Sequence, residues 1–467
     1  MSGDLCFLTI RRAAELIASR ALSPVELVKA HLARIESVDP TLHSYITVAA
    51  DYALARAREA EADIAGGRYK GALHGVPYGL KDIFLTKGVR TTAASKVLLD
   101  NVPTDSAHVH ARLESAGAIL LGKLNTFEFG TGVGAPSSDL PFPPARNPWD
   151  TKRFTGSTTT GAGAAVAAGT AMVAFGTDTG GSVRLPAAAC GAVGLKPTFG
   201  VLSRRNIIPN TYSLDHVGMV ARRVADVAAL LEATAGFDPG DPTSVDRPAP
   251  DCTSDLQAGV KGLRIGVIRR FHERDARAAP AVAGAIEAAI DVLRRLGAEI
   301  VEDEPTASLF DYRACMKIIN NAECFAAHRT LFRDRYHDLG VSFREKLMGG
   351  VTVKASDYLD ALRWKARLAA ELTQVIGRYD AVICAGTMTA APLLDDRQAV
   401  VDFTGQSAMA AFNLSGHPAL SLCIGFDEAG MPLGMQIAAA HFSEPKLLRV
   451  AAAYEKAMAW HDRQPKL

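Results

Sequence analysis

The chain has 467 residues, 48% hydrophobic and 22% charged, with a net charge of +1 at neutral pH. This composition is that of an ordinary soluble globular protein and excludes a disordered scaffold; the length suits two or three average domains or one continuous α/β sheet. A charge this close to zero gives no electrostatic reason to expect a nucleic acid or an anionic membrane as partner.

The seven cysteines (Cys6, Cys190, Cys252, Cys315, Cys324, Cys384 and Cys423) are scattered, without a C-x-x-C pair. Neither a disulfide framework nor a zinc site is indicated, and no metal is expected. Met1–Thr9 lacks a basic region followed by an apolar core, so a secretory signal is not indicated. Gly161–Gly176, the longest low-charge stretch, is too short and glycine-rich to span a bilayer. The expected location is the cytoplasm.

In chain order, Ser23-Pro24-Val25-Glu26 forms a capping box that opens a helix through roughly Ile35. A second helical pattern covers about Tyr52 to Ala62. Ser106–Ala116 reads as a helix that ends at Gly117 and feeds an apolar strand, Ala118–Leu121. Residues 235–262, rich in Pro, Asp and Gly, read as a surface connection. Arg264–Ile268 and Ala381–Cys384 read as buried strands. Val282, Ile286, Ile290 and Leu293 mark one face of a helix, and Glu299–Glu302 follows it as a strand. Strands and helices interleave throughout. The expected fold is α/β: a single large domain whose central, mostly parallel or mixed sheet is covered by helices on both faces.

The chemistry concentrates in two polar, glycine-rich segments, Thr155-Gly156-Ser157-Thr158-Thr159-Thr160-Gly161 and Thr177-Asp178-Thr179-Gly180-Gly181-Ser182. Ser182 follows two glycines, so backbone N–H groups can converge beside its hydroxyl. Upstream, Gly75-Val76-Pro77-Tyr78-Gly79-Leu80-Lys81-Asp82 supplies a lysine after an apolar run. Hydroxyls on a glycine-rich backbone plus one lysine are the parts of a hydrolase that needs neither histidine nor metal. A phosphate-binding loop is the competing reading of Gly161–Gly176, but the segment lacks G-x-x-x-x-G-K-[ST].

With the block Ala116–Phe129, the Arg146-Asn147-Pro148-Trp149 element, Gly176–Arg184, Cys190-Gly191, Gly194–Thr198, Asn413 with Gly416 and Pro418, and Gly430–Gln436, the chain resembles the amidase signature family nearly end to end. The resemblance implies a signature core over about 72–225 and a variable, pocket-shaping helical region over about 270–380. It implies Ser182 as nucleophile, the N–H groups of Thr179, Gly180, Gly181 and Ser182 as oxyanion hole, and neutral Lys81 as ultimate base. Burial and a positively charged or donor-rich neighbourhood are the means of lowering that lysine's pKa.

The family's relay serine, 24 residues before the nucleophile, falls on Thr158 here, and the usual glycine before it is Ser157. The family places the relay after a cis peptide bond, a conformation that costs about 3–4 kcal/mol outside proline. A relay through Thr158, a one-residue shift to Ser157, and a silent site are the three alternatives. Asp178 and Arg184 are read as braces of the nucleophile loop rather than as substrate contacts. Asn125, Phe127, Leu140, Phe142 and His216 are the candidates for the substrate pocket.

The expected reaction is hydrolysis of a linear amide through an acyl-Ser182 intermediate, without a cofactor. The apolar Leu140 and Phe142 point to an apolar or aryl amide, anilide or carbamate as a small-molecule substrate. Nucleic acid and membrane are not expected as partners, and a homodimer is compatible with the chain. The alternatives are a glutamine-hydrolysing chain similar to the A component of a tRNA-dependent amidotransferase, and a silent family member serving as a binding module.

Overall fold

Among the described residues, eleven strands form one sheet. In the computed structural model, which describes residues 5–302 and 306–467, they are β1 (Tyr45–Val48), β2 (Pro77–Lys81), β3 (Ile119–Leu124), β4 (Val173–Asp178), β5 (Val193–Lys196), β6 (His216–Ala221), β7 (Arg264–Val267), β8 (Glu299–Val301), β9 (Ala381–Ala385), β10 (Ala419–Phe426) and β11 (Pro432–Ala438). Their spatial order is β1-β3-β2-β4-β6-β5-β10-β11-β9-β7-β8. The sheet is mixed. Parallel pairs join β3, β2 and β4 at one end and β9, β7 and β8 at the other. The strands between these groups pair antiparallel.

Near-continuous apolar strands require cover on both faces. Along β4, Val173 and Phe175 enter one core cluster and Ala174 another. Along β6, Val217 and Met219 divide in the same way from Val220. Alternate side chains therefore bury into separate layers, as the two-residue period of a strand demands.

Local signals placed several elements. The Ser23 box is formed in both directions and opens α1 (Pro24–Leu42), which runs past the expected stop near Ile35 and carries Pro40 within it. Val282, Ile286, Ile290 and Leu293 are all fully buried on the helix Pro280–Arg295. The low-charge stretch before Gly176 is α2 (Thr160–Ala168), every residue of it buried, followed by β4. The short α3 (Arg184–Cys190) follows the nucleophile loop.

The connection over 235–262 contains no helix or strand, but it is not loose. Asp238 accepts from Ser203 Oγ and Arg205, and Asp241 accepts from the Arg204 N–H. Further on, α5 (Val341–Val351) and α6 (Ala355–Ile376) both pack on α4 (Leu309–Asp334), forming a helical arm. Among the described residues no helix is long and apolar enough to cross a membrane.

Candidate active site

Lys81 is the last residue of β2, and β4 delivers Thr177 and Asp178 immediately before the nucleophile loop. The two strands are parallel neighbours with Leu80 opposite Phe175, so their carboxyl ends, and the loops leaving them, open on the same edge. That edge is where open α/β sheets collect ligands.

The Lys81 side chain is fully buried. Its Nζ lies 2.8 Å from Thr158 Oγ1, 3.1 Å from Thr159 Oγ1 and 3.0 Å from Thr177 Oγ1. Burial lowers its pKa from 10.5 to about 7, while Asp215 and Asp178 pull the other way. Burial, one of the expected means, is what lowers it, and it overcomes the two carboxylates without help from a cation. Thr159 spends its own proton on the Thr177 carbonyl at 3.0 Å, so toward Lys81 it only accepts. Thr158 has no such commitment, and its hydroxyl is available to donate to a neutral amine.

Ser182 is half-buried, and its Oγ lies 3.2 Å from Ser157 Oγ. The two hydroxyls expected to compete for one role are thus divided: Ser157 faces the nucleophile, Thr158 the lysine. The cis bond expected between them is not found; every described peptide bond is trans. A trans link already brings each hydroxyl to its partner, so nothing offsets the cost of the cis form.

Asp178 and Arg184 form a fully buried ion pair at 2.9 Å. Asp178 accepts from Gly181 N–H at 2.8 Å and from Asn413 Nδ2, while Arg184 reaches the Met409 carbonyl, Gln436 and Asn413. The arginine holds the Asp178 carboxyl well below the usual carboxylate range despite burial. The C-terminal blocks with Asn413 and Gln436 thereby find their place as braces of the nucleophile loop.

This bracing corrects the oxyanion expectation. Gly181 N–H is committed to Asp178, so it does not face a substrate carbonyl. Among the described residues, the N–H groups of Thr179, Gly180 and Ser182 have no protein acceptor. Gly181 has φ +117°, and an added Cβ there would lie 2.7 Å from Met409.

Thr179 is anchored by Asp215, which accepts its hydroxyl at 2.6 Å and the N–H groups of Asn210 and Thr211. Asp215 was not among the residues expected at the site, although it stands beside His216, which was. His216 is buried, its Nδ1 2.7 Å from the Leu214 carbonyl, and it lines a cavity with Thr177 and Asp215. The other pocket candidates lie elsewhere. Asn125, Phe127, Leu140 and Phe142 share a crevice of about 10 Å³, and Asn125 Nδ2 donates to the carbonyls of His43 and Pro143. Pro136, Ser137 and Pro144 of the proline-rich segment line the same crevice.

The arm supplies what sequence reasoning missed. A Cβ on Gly180 would lie 3.0 Å from the Met316 methyl, so α4 covers the nucleophile loop. Asn320 donates to Thr211 Oγ1 at 2.8 Å. Gly130 packs against Lys81, and on the arm Lys346 of α5 donates to Asn321 Oδ1 of α4 and lies near Cys324. Lys346 has no acidic partner among the described residues, and burial lowers its pKa to about 8.

Residues 26–448 match the sequence model of the family described as Amidase. A curated relative from Geobacter metallireducens, the A component of glutamyl-tRNA(Gln) amidotransferase, is 38% identical over 99% of both chains. Its counterpart structure from Thermotoga maritima superposes with a TM-score of 0.80 at 31% identity, covering 97% of this chain and 95% of that one. A solved structure described as a vestigial protein complex that reveals the origins of an s-triazine catabolic enzyme gives a TM-score of 0.89 at 30% identity, covering 98% and 100%.

Relatives named for a tRNA, and as one component of a larger enzyme, overturn the expectation of a free small-molecule substrate with no nucleic acid involved. The net charge of one chain does not report what an assembled enzyme handles. Motifs, fold and relatives agree over nearly the whole length, and the chain belongs to the amidase signature family.

Proposed function

We propose that this chain is the glutamine-hydrolysing component of an amidotransferase-type assembly, releasing ammonia through an acyl-enzyme on Ser182. The observation that carries the reading is the 38% identity to the amidotransferase A component over 99% of both chains. We also assign Lys346 to the substrate's carboxylate: a half-buried ammonium with no carboxylate of its own suits a substrate that brings one, as glutamine does. The main expectation from sequence, an apolar or aryl amide, anilide or carbamate, rested on Leu140 and Phe142, which share a crevice of only about 10 Å³.

In this reading neutral Lys81 is the ultimate base for Ser182 as Oγ attacks the carboxamide carbon, with Ser157 Oγ beside the nucleophile and Thr158 Oγ1 beside the lysine. The N–H groups of Thr179, Gly180 and Ser182 receive the oxyanion, each well-aimed donor contributing about 3–4 kcal/mol. The proton returns to the leaving nitrogen. Water then repeats the sequence on the acyl-enzyme.

The test is glutamate and ammonia production from glutamine by the chain alone and by the complex purified from its own host, with Ser182→Ala as control. Glutaminase activity that depends on Ser182 and rises in the complex is the expected result. Fast hydrolysis of aryl amides or carbamates with none of glutamine would overturn the substrate. Failure of a fluorophosphonate to label Ser182 in folded protein, with no amide cleaved, would make the chain a silent binding module.

A further inference from the structure

The proline-rich segment has a partner that lies far from it in sequence. Gly340, which precedes α5, brings no side-chain cap to that helix. The N–H groups that open the helix are met instead from residues 202 to 212 positions earlier. Gly340 N–H donates to Glu128 Oε2 at 2.7 Å, Val341 N–H to the Asp139 carboxylate at 3.1 Å, and Ser342 N–H to Ser137 Oγ at 3.2 Å. Ser342 Oγ donates back to the Ala135 carbonyl and accepts from the Val133 N–H. These contacts satisfy donors that a helix cannot satisfy for itself.

The fit is close. A Cβ on Gly340 would lie 2.8 Å from Leu140 Cδ2 and 2.9 Å from Glu128 Oε2. Leu140, expected to line the substrate pocket, thus lies against the start of α5. Glu128, Ser137 and Ser342 are all buried, and the second Glu128 oxygen accepts from Ser95 Oγ at 2.6 Å.

The turn Glu128–Gly130 reaches the chemistry from its other side. A Cβ on Gly130 would lie 3.5 Å from Lys81 Nζ. Between them Phe129 holds φ at +49°, and its N–H donates to the carbonyl of Ala93, itself at φ +50°. Non-glycine residues keep this conformation only where their surroundings impose it, and such positions gather at functional sites. The Phe129 ring is 5.0 Å from both His328 of α4 and Phe343 of α5. The turn therefore stands between the lysine and the arm, and residues 133–139 tie the arm down beside it.

We propose that residues 128–139 form a strap that selects substrate indirectly, by fixing α5 over the site, with Glu128 as its positioning residue. Both Glu128 oxygens are engaged, so it acts through α5 and not on the substrate. The inference rests on the amide-cleaving reading above and deepens it. α5 carries Lys346 and packs on α4, whose Met316 covers the nucleophile loop. Loosening the strap lets these groups shift, which changes the acyl groups that fit while Ser182 and Lys81 keep their places on the sheet edge.

Three variants of the full chain test this. Glu128→Leu leaves Ser95 Oγ and Gly340 N–H unmatched, Glu128→Gln can meet both, and Gly340→Ala wedges the strap from α5. Hydrogen exchange at the N–H groups of Gly340, Val341 and Ser342 should quicken in Glu128→Leu and Gly340→Ala, and match wild type in Glu128→Gln. In glutamine hydrolysis the two loosened variants should raise KM about tenfold with kcat within a few-fold, the scale of one buried hydrogen bond. Glu128→Gln should restore KM. A partly unfolded variant would instead lose kcat at constant KM.

Fluorophosphonate labelling of Ser182 reads the same selection without a chosen substrate. A bulky aryl probe should gain on a small alkyl probe in the two loosened variants. Quicker exchange with KM and the probe ratio unchanged would make the strap a mere support and overturn the proposal. Unchanged exchange in both loosened variants would overturn it as well. If glutamine is not cleaved but the probe ratio shifts as expected, the glutamine reading falls and the strap stands.

Discussion

Ser182 and Lys81 stand where two neighbouring strands of the sheet end, whereas Met316 reaches the nucleophile loop and Asn320 reaches Thr211 from a helical arm that also carries Lys346. The difference lies in what holds each group. Around Ser182 the backbone itself is fixed, by a buried Asp178–Arg184 pair with Asn413 and Gln436 behind it. The arm reaches the site mainly through side chains on helices, which substitution can alter without moving the sheet. We infer that the sheet edge carries the chemistry and the arm the selection of substrate. Variants in the first should lower kcat, and variants in the second should raise KM.

The largest effect belongs to Ser182→Ala, which should lower kcat on the order of 10⁶-fold, the scale of losing a nucleophile. The lysine gives this region a pH signature. Because Lys81 acts neutral and burial sets its pKa at about 7, kcat/KM should rise with pH through that value and then level off. A profile that rose toward acid would remove Lys81 as base.

Next come the two hydroxyls between them. Thr158→Ala and Ser157→Ala should each lower kcat by about 10²- to 10⁴-fold, the ordinary contribution of a proton-transfer group. Single-turnover acylation, followed with an active-site label, separates them. Equal losses fit the observed division, Ser157 on the nucleophile and Thr158 on the lysine. Near-normal acylation in either variant would return the relay to one hydroxyl.

The same contrast shows in stability. Arg184→Met leaves Asp178 buried without its partner and should cost about 3–5 kcal/mol in a denaturant melt. On the arm, Asp360 and Arg363 form a pair just as close, at 3.0 Å, with both side chains mostly exposed. Solvent screens that pair, so Arg363→Ala should leave the melt unchanged.

What the sequence could show followed the range of the interactions. The Ser23 capping box is complete within four residues and formed as read. The buried stripe of Pro280–Arg295 follows from helical period alone. Lys81, Thr158 and Ser182 could be singled out because hydroxyls, glycines and one lysine fall in short motifs, and the fold brings Lys81 Nζ within 2.8 Å of Thr158 Oγ1. Asp215 was not, since its tie to Thr179 spans 36 residues and no local pattern announces it. Leu140 and Phe142 misled because an apolar run reads alike whether it lines a pocket or fills a crevice. Gly181 misled for a related reason: only the folded loop shows that its N–H belongs to Asp178. Lys346 reads as one more surface lysine until α5 is packed against α4.

That lysine gives the smallest and most discriminating effect. Lys346 Nζ has only Asn321 Oδ1, at 2.7 Å, as a hydrogen-bond partner among the described residues. A hydrogen bond to a charged group contributes about 1.5–3 kcal/mol, so losing one to a substrate carboxylate should raise KM about 10- to 100-fold. Lys346→Met keeps the length and apolar stem of the side chain while removing its charge. It should raise KM for glutamine while leaving kcat within a few-fold, because no hydrogen bond links Lys346 to Ser182, Thr158 or Lys81 among the described residues. A neutral amide lacking the carboxylate should show no such change with the same variant. If instead kcat fell and KM held, the arm would belong to the chemistry and the division between the two regions would fail.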